Sequence, residues 1–237
     1  MNPLPTETAA PARGARRAAR TRAAILDAAE RAIRIDGYRG TRMEAVAEAA
    51  DVSVGSIYNH FGDKDGLYHA LAERAVELFG RYMAAAYAAG ATPLEQVMGA
   101  GEGYLRFHLE HPGAFRFLAF DGVEAGPVIG DDELAARITT DLEAIIDSFR
   151  EKIQEAIDAR EIRPELDAHH LSRFLWSAWN GVVALGLRND RLALTESEID
   201  ATIQTGLRLV VEGLVDPAWR DAHGNARARL VRIVSPE

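Results

Sequence analysis

The sequence predicts an all-α protein in two parts. Apolar residues recur at steps of three and four through most of the chain, helix-start signals punctuate it, and no segment alternates apolar with polar as a half-buried strand would. With 237 residues it can bury a full core. It has no cysteine, which excludes disulfides and thiolate metal sites and fits a reducing, cytoplasmic setting. No run of 18 apolar residues and no apolar leader occurs, so a soluble protein that does not enter a membrane is expected.

Residues 1–18 are rich in Pro, Ala, Thr and Arg and lack periodicity, so a disordered basic arm is expected there. An Arg/Ala-rich start also suits a transit peptide. The arm, however, runs directly into a helical unit over 19–66. Its first helix, about Arg20 to Ile35, places Ile25, Leu26, Ala29 and Ile33 on one face and ends at Gly37. Thr41 with Glu44 three residues on reads as a capping box, opening a second helix whose Met43, Val46 and Ala47 face inward. Ala50, Asp51 and Val52 make a turn. Ser53 caps a third helix in which Ile57 and Phe61 point in while Ser56, Tyr58, Asn59 and His60 point out. That outer face is rich in hydrogen-bonding groups and nearly free of charge, which suits base edges and phosphates. Two helices joined by a tight turn, the second reading a major groove, form a helix-turn-helix. The plainer alternative is a helical hairpin within a bundle.

Charge divides the chain at the same place. The formal net charge is -9, yet residues 1–62 hold nine Arg against seven acidic residues, so the acidic excess lies beyond them. Arg13, Arg16, Arg17, Arg20 and Arg22 precede the first helix core, within reach of phosphates or a minor groove.

Residues 67–216 read as a second helical unit. Asp63 or Asp65 caps helix 4, which carries Leu67, Leu71, Ala75, Leu78 and Tyr82 and runs to Gly90. Thr92, Pro93 and Glu95 start helix 5, which reaches about His111. A short helix over Ala114–Phe120 and a loop over Gly122–Gly130 follow. Helix 7 extends from Asp131 to about Ala159, and Pro164 forbids its continuation. Helix 8, about Ala168 to Leu187, is apolar on two faces, one face more than a bundle within one chain needs. Helix 9 starts at a Thr195/Glu198 capping box and carries Gly206 and Gly213 mid-helix, where close helix contact is expected to compensate the cost of glycine. These features predict a homodimer through Val182, Leu185, Leu207, Val210 and Leu214. Residues 217–237 form a polar tail of no evident structure.

The run Thr41, Val46-Ala47, Ala50-Asp51-Val52-Ser53, Gly55, Tyr58, His60-Phe61 and Lys64 resembles the N-terminal signature of the tetracycline-repressor (TetR) family of bacterial transcriptional regulators. The likeness covers roughly residues 20–70. Asp51 stands where the family usually has Gly, at a turn position that calls for positive φ, a conformation Asp tolerates better than most residues. The resemblance implies that Thr41, Tyr58, His60 and Lys64 hold phosphates, and a hydroxyl, an imidazole N–H, a helix start and an ammonium all suit that role. Base reading then falls to the exposed positions between these anchors, Val54, Gly55, Ser56 and Asn59, with Arg42 from helix 2. It further implies an effector pocket in the second unit, for which Phe107, His111, Phe117, Trp176, Trp179 and Asn180 are the candidates. Aromatics at helical spacing also make plain core. His108 and His111 at i, i+3 have metal-chelating spacing, but a lone helical pair usually binds no metal.

No nucleophile-base-orienter set, phosphate-cradling glycine loop or HExxH occurs, so no catalytic residue, metal or cofactor is implied. The expected partners are a palindromic double-stranded DNA operator, a small apolar or aromatic effector and a second copy of the chain. The alternative is an all-helical carrier or enzyme with a vestigial DNA-binding unit.

Overall fold

The computed structural model describes residues 13–116, 118, 132–186, 188, 190–227 and 231–236. Its helices are α1 (Arg13–Gly40), α2 (Met43–Ala49), α3 (Val54–Phe61), α4 (Lys64–Ala89), α5 (Pro93–Glu110), α6 (Pro112–Arg116), α7 (Asp132–Asp158), α8 (Ala168–Gly186) and α9 (Glu196–Leu214), followed by a 3-10 turn at Pro217–Trp219. Among the described residues extended pairing is confined to two isolated bridges, Ile162 with Val215 and Arg220 with Ala226. The chain divides into two compact units, Met1–Leu71 and Ala72–Glu237, and α4 begins in the first and ends in the second.

In the first unit α1 begins at Arg13, inside the stretch expected to be disordered. Ala and Arg are strong helix formers, so this arm needs no apolar stripe to continue the helix backward. Gly37, at φ 68 and ψ 170, breaks the helix. Both the backbone N–H and the hydroxyl of Thr41 donate to the Gly37 carbonyl, at 3.1 and 2.8 Å. The expected Thr41–Glu44 capping box is therefore absent: Arg42 is the N-cap of α2 and caps it with no side-chain hydrogen bond.

Met43, Val46 and Ala47 are buried, and Asp51 takes φ 53, the conformation anticipated for the turn. Ser53 Oγ accepts from Ser56 N–H at 3.2 Å and starts α3. Ile57 packs with Ile25, Leu26, Val46, Leu67 and Leu71, and its complete burial stabilises the unit by about 2 kcal/mol. The junction to α4 depends on two glycines. Gly62 has φ 79, and a Cβ on Gly66 would lie 1.9 Å from the Phe61 carbonyl oxygen. Asp63 Oδ1 accepts from Gly66 N–H at 2.7 Å, so Asp63 caps α4.

In the second unit α5 is the central helix, packed against α6, α7, α8 and α9. Thr92 accepts from Glu95 N–H at 3.3 Å, and Glu95 returns a bond to Ala91 N–H at 2.9 Å. Three glycines let neighbours approach α5. A Cβ on Gly101 would meet Leu207 at 2.8 Å and Trp179 at 3.0 Å, and one on Gly99 would meet the Ala86 carbonyl oxygen at 2.9 Å. Gly103 sits equally tightly against Tyr82. Close helix contact thus lies at these glycines, whereas a Cβ added at Gly206 or Gly213 would meet no neighbouring element among the described residues within 4 Å. The buried carboxylate of Glu161 accepts from Leu94 N–H at 2.7 Å and joins the end of α7 to the start of α5.

The helix starts of α8 and α9 lie where expected: the Thr195/Glu198 capping box is formed, and α8 is capped by Asp167, which accepts from His170 N–H at 2.8 Å. Leu207 and Leu214, expected at a dimer interface, instead lie in the chain's own core at 6 and 8 % exposure. They continue the buried series Ile199, Ile203 and Val211, the face that α9 turns inward. The tail also has structure. Ile233 is buried, Arg232 donates to Glu102, and Ser235 donates to Glu110 at 2.6 Å, fastening residues 231–236 along α5.

Candidate functional site

The exposed side of α2 and α3 gathers most of the expected DNA-contacting residues. Arg42, Gly55, Tyr58 and Asn59 are exposed, and Val54, Ser56 and His60 are half-buried. The α3 turn that buries Ile57 necessarily turns Tyr58 and Asn59 outward, and Tyr58 is 46 % exposed. The His60 ring lies 6.0 Å from that of Phe61, and the Arg22 guanidinium lies 5.4 Å from the Phe61 ring centroid. Lys64 is half-buried and donates to the Thr41 carbonyl at 2.7 Å.

Thr41 needs correction as a phosphate ligand. It is 5 % exposed, and its two protons go to Gly37, so it has no donor left to offer. It acts on this surface indirectly, by presenting the carbonyl that holds Lys64. Gly55 gains a meaning that spacing did not supply. A Cβ there would find only Ser53 Oγ, at 3.9 Å, so the fold does not require glycine at this exposed helical position. What a bare backbone there permits is close approach from outside.

In the second unit a cavity of about 270 Å³ opens among α4, α5, α6, α7 and α8. Phe79 and Met83 come from α4, Tyr104 and Phe107 from α5, and Phe115 from α6. α7 adds Thr139, Leu142, Glu143, Ile145, Ile146 and Phe149, and α8 adds Trp176, Trp179 and Asn180. The rings form a continuous cluster: Tyr104 is 5.6 Å from Trp179 and meets Phe115 edge-on at 5.1 Å, and Phe149 is 5.6 Å from Trp179. Tyr104 Oη donates to Asn180 Oδ1 at 2.5 Å, and burial pushes the Tyr104 phenol well above its usual pKa, so it stays a neutral donor.

Of the expected pocket residues, Phe107, Trp176, Trp179 and Asn180 lie on the cavity wall, and Phe117 lies outside the described residues. His111 does not line it. As the C-cap of α5 it turns away, edge-on to Tyr82 at 5.7 Å. His108 is buried edge-on to Phe115 at 4.8 Å, and burial lowers its pKa against the opposing charge of Glu196. Among the described residues no three His, Cys, Asp or Glu side chains gather as a metal site. Sequence reasoning missed the α7 wall, Glu143 above all. Its signal is slight: one acidic residue between Leu142 and Ile146 on a helix that is otherwise polar outside.

A helix-turn-helix in one unit and an apolar cavity with seven aromatic side chains on its wall in the other define a ligand-responsive DNA-binding regulator. The chain belongs to the TetR family: residues 25–71 match the family of bacterial regulatory proteins named for tetR, and residues 97–210 match the tetracyclin repressor-like C-terminal domain. It is 25% identical over 199 residues to the HTH-type transcriptional regulator RutR of Escherichia coli, covering 81% of this chain and 89% of RutR. The HTH-type transcriptional repressor AcnR of Corynebacterium efficiens is 26% identical over 192 residues, covering 79% of this chain and 93% of AcnR. The fold is similar to that of AibR, solved with isovaleryl coenzyme A and operator DNA, with a TM-score of 0.62 and 23% identity over 78% of this chain and 97% of AibR. No helix among the described residues is long and apolar enough to cross a membrane.

Proposed function

We propose that the chain is a dimeric transcriptional repressor that leaves a palindromic operator when a small apolar molecule fills the second-unit cavity. The single observation that carries this reading is the pairing of an outward, nearly uncharged recognition face with a cavity walled by seven aromatic rings in one chain. The AcnR likeness supports the sign of control, and the AibR complex, which holds both a small molecule and operator DNA, supports the linkage. Tyr58, His60 and Lys64 anchor phosphates, while Arg42, Val54, Gly55, Ser56 and Asn59 read bases. α4, which begins at Lys64 and ends at Ala89 beside the α5 start, is the continuous element that carries strain from the cavity toward α3.

The test begins with capturing fragments of the host genome on the purified chain and footprinting those retained. On the recovered operator, Tyr58→Phe and Lys64→Ala weaken binding by about 1 kcal/mol each, nearly equally for all operator variants. Asn59→Ala instead flattens the ranking of those variants. An unchanged ranking would remove Asn59 from base reading, and failure to retain any fragment would remove the DNA-binding reading itself.

A further inference from the structure

The cavity wall has a chemical polarity that selects one class of ligand, provided that this cavity is the effector site as proposed above. Tyr104 is buried, and its hydroxyl proton has Asn180 Oδ1 as acceptor at 2.5 Å. This bond fixes the orientation of the Asn180 carboxamide, because the reversed amide would leave the buried phenol proton unpaired. The oxygen is spent on Tyr104. The NH₂ has no partner among the described residues and belongs to a residue of the cavity wall, so it is a directional donor held in place for a ligand.

Charge supplies the second constraint. Among the described lining residues there is no Lys, Arg or His, and the single carboxylate is Glu143. A carboxylate or phosphate ligand would lose its hydration without a counter-charge and would meet Glu143 as well. Size supplies the third. A cavity of about 270 Å³ holds roughly ten to fifteen non-hydrogen atoms at protein packing density.

We infer that the effector is an uncharged body of about two rings with one carbonyl-type hydrogen-bond acceptor, read by the Asn180 amide while Tyr104 orients that amide and Glu143 disfavours anions. An acyl coenzyme A of the kind AibR was solved with would find no cationic partner among the described lining residues.

A matched set of probes tests it by calorimetry on the full chain: 2-acetylnaphthalene, 2-ethylnaphthalene and 2-naphthoate have the same ring body and differ in the acceptor and the charge. On the unaltered protein the ketone binds about fivefold more tightly than the hydrocarbon, as one satisfied hydrogen bond gives, and the naphthoate binds weakest. Asn180→Asp preserves an acceptor for Tyr104 but removes the NH₂, so the ketone loses its advantage while the hydrocarbon binds as before. Asn180→Leu gives the same loss if Asp alters the site through its charge. Tyr104→Phe narrows the ketone's advantage without abolishing it, and Glu143→Gln raises naphthoate affinity alone. Equal binding of ketone and hydrocarbon to the unaltered protein, naphthoate binding best, or no binding of any probe would each overturn the inference. Operator binding by the same preparation reports separately on the DNA-binding reading, which survives any of those results.

Discussion

Leu209→Arg yields a folded monomer that has lost operator binding by a factor of about 100 or more, whereas Leu207→Arg two residues away yields a chain that does not fold. Leu209 is 71 % exposed on the single chain, and Leu207 is 6 % exposed against Gly101. A guanidinium at Leu207 has neither room nor counter-charge, and such burial costs more than about 4 kcal/mol. A guanidinium at Leu209 costs the monomer nothing but breaks an apolar surface. Other apolar side chains of α8 and α9 are also open to solvent: Phe174, 61 % exposed, Leu185, and half-buried Val182 and Val210. A Cβ added at Gly181, Gly206 or Gly213 on the same two helices would meet no other part of the described chain within 4 Å, leaving room for a partner's helices. In the dimer proposed above, two-fold pairing of α8 and α9 would cover this surface, and loss of the pair would remove the second half-site contact. Sedimentation with circular dichroism separates the outcomes. A dimeric Leu209→Arg would move the interface elsewhere, and a folded Leu207→Arg would contradict its place in the core.

Gly55→Ala makes the first unit more stable and yet weakens operator binding tenfold or more. Alanine gains about 0.5 to 1 kcal/mol over glycine within a helix, and the new methyl meets nothing closer than Ser53 Oγ at 3.9 Å. The loss therefore has to come from outside the chain, where the bare backbone of α3 approaches the groove. A thermal melt and an operator titration on the same preparation check both halves. A stabilised variant with unaltered operator affinity would show that Gly55 does not face the groove.

The sequence made the helices legible because their punctuation is local. Ser53, Thr92, Asp167 and Thr195 each cap a helix through an oxygen within three residues of the donor, and Asp51 takes the positive φ its turn position called for. Thr41 was misread because its competing acceptor, the Gly37 carbonyl, is created only when the chain kinks at Gly37. Leu207 and Val210 both lie on an apolar α9, and periodicity does not reveal which stripe meets the chain's own core. That choice was made by Gly101, a neighbour more than a hundred residues earlier. The cavity's aromatic half was legible from Phe107, Trp176 and Trp179. Its α7 half was not, since Glu143 and Ile146 look like an ordinary amphipathic helix until α8 packs beside them. The tail resisted for the same reason: Arg232 and Ser235 find their acceptors on α5, far back in the chain.

Filling the cavity is expected to weaken hold on DNA, so operator affinity is to be measured with and without a cavity ligand. The ligand is the tightest binder from a panel of one- to three-ring apolar compounds, used at saturation on the unaltered chain and on Trp176→Ala. Operator affinity of the unaltered chain should fall by roughly five- to 150-fold, the range of an ordinary coupling between two sites. Trp176→Ala, which opens the cavity wall, binds the free operator as well as the unaltered chain does but responds to the ligand only weakly. Operator affinity that stays the same under saturating ligand, or a Trp176→Ala response equal to that of the unaltered chain, would contradict it.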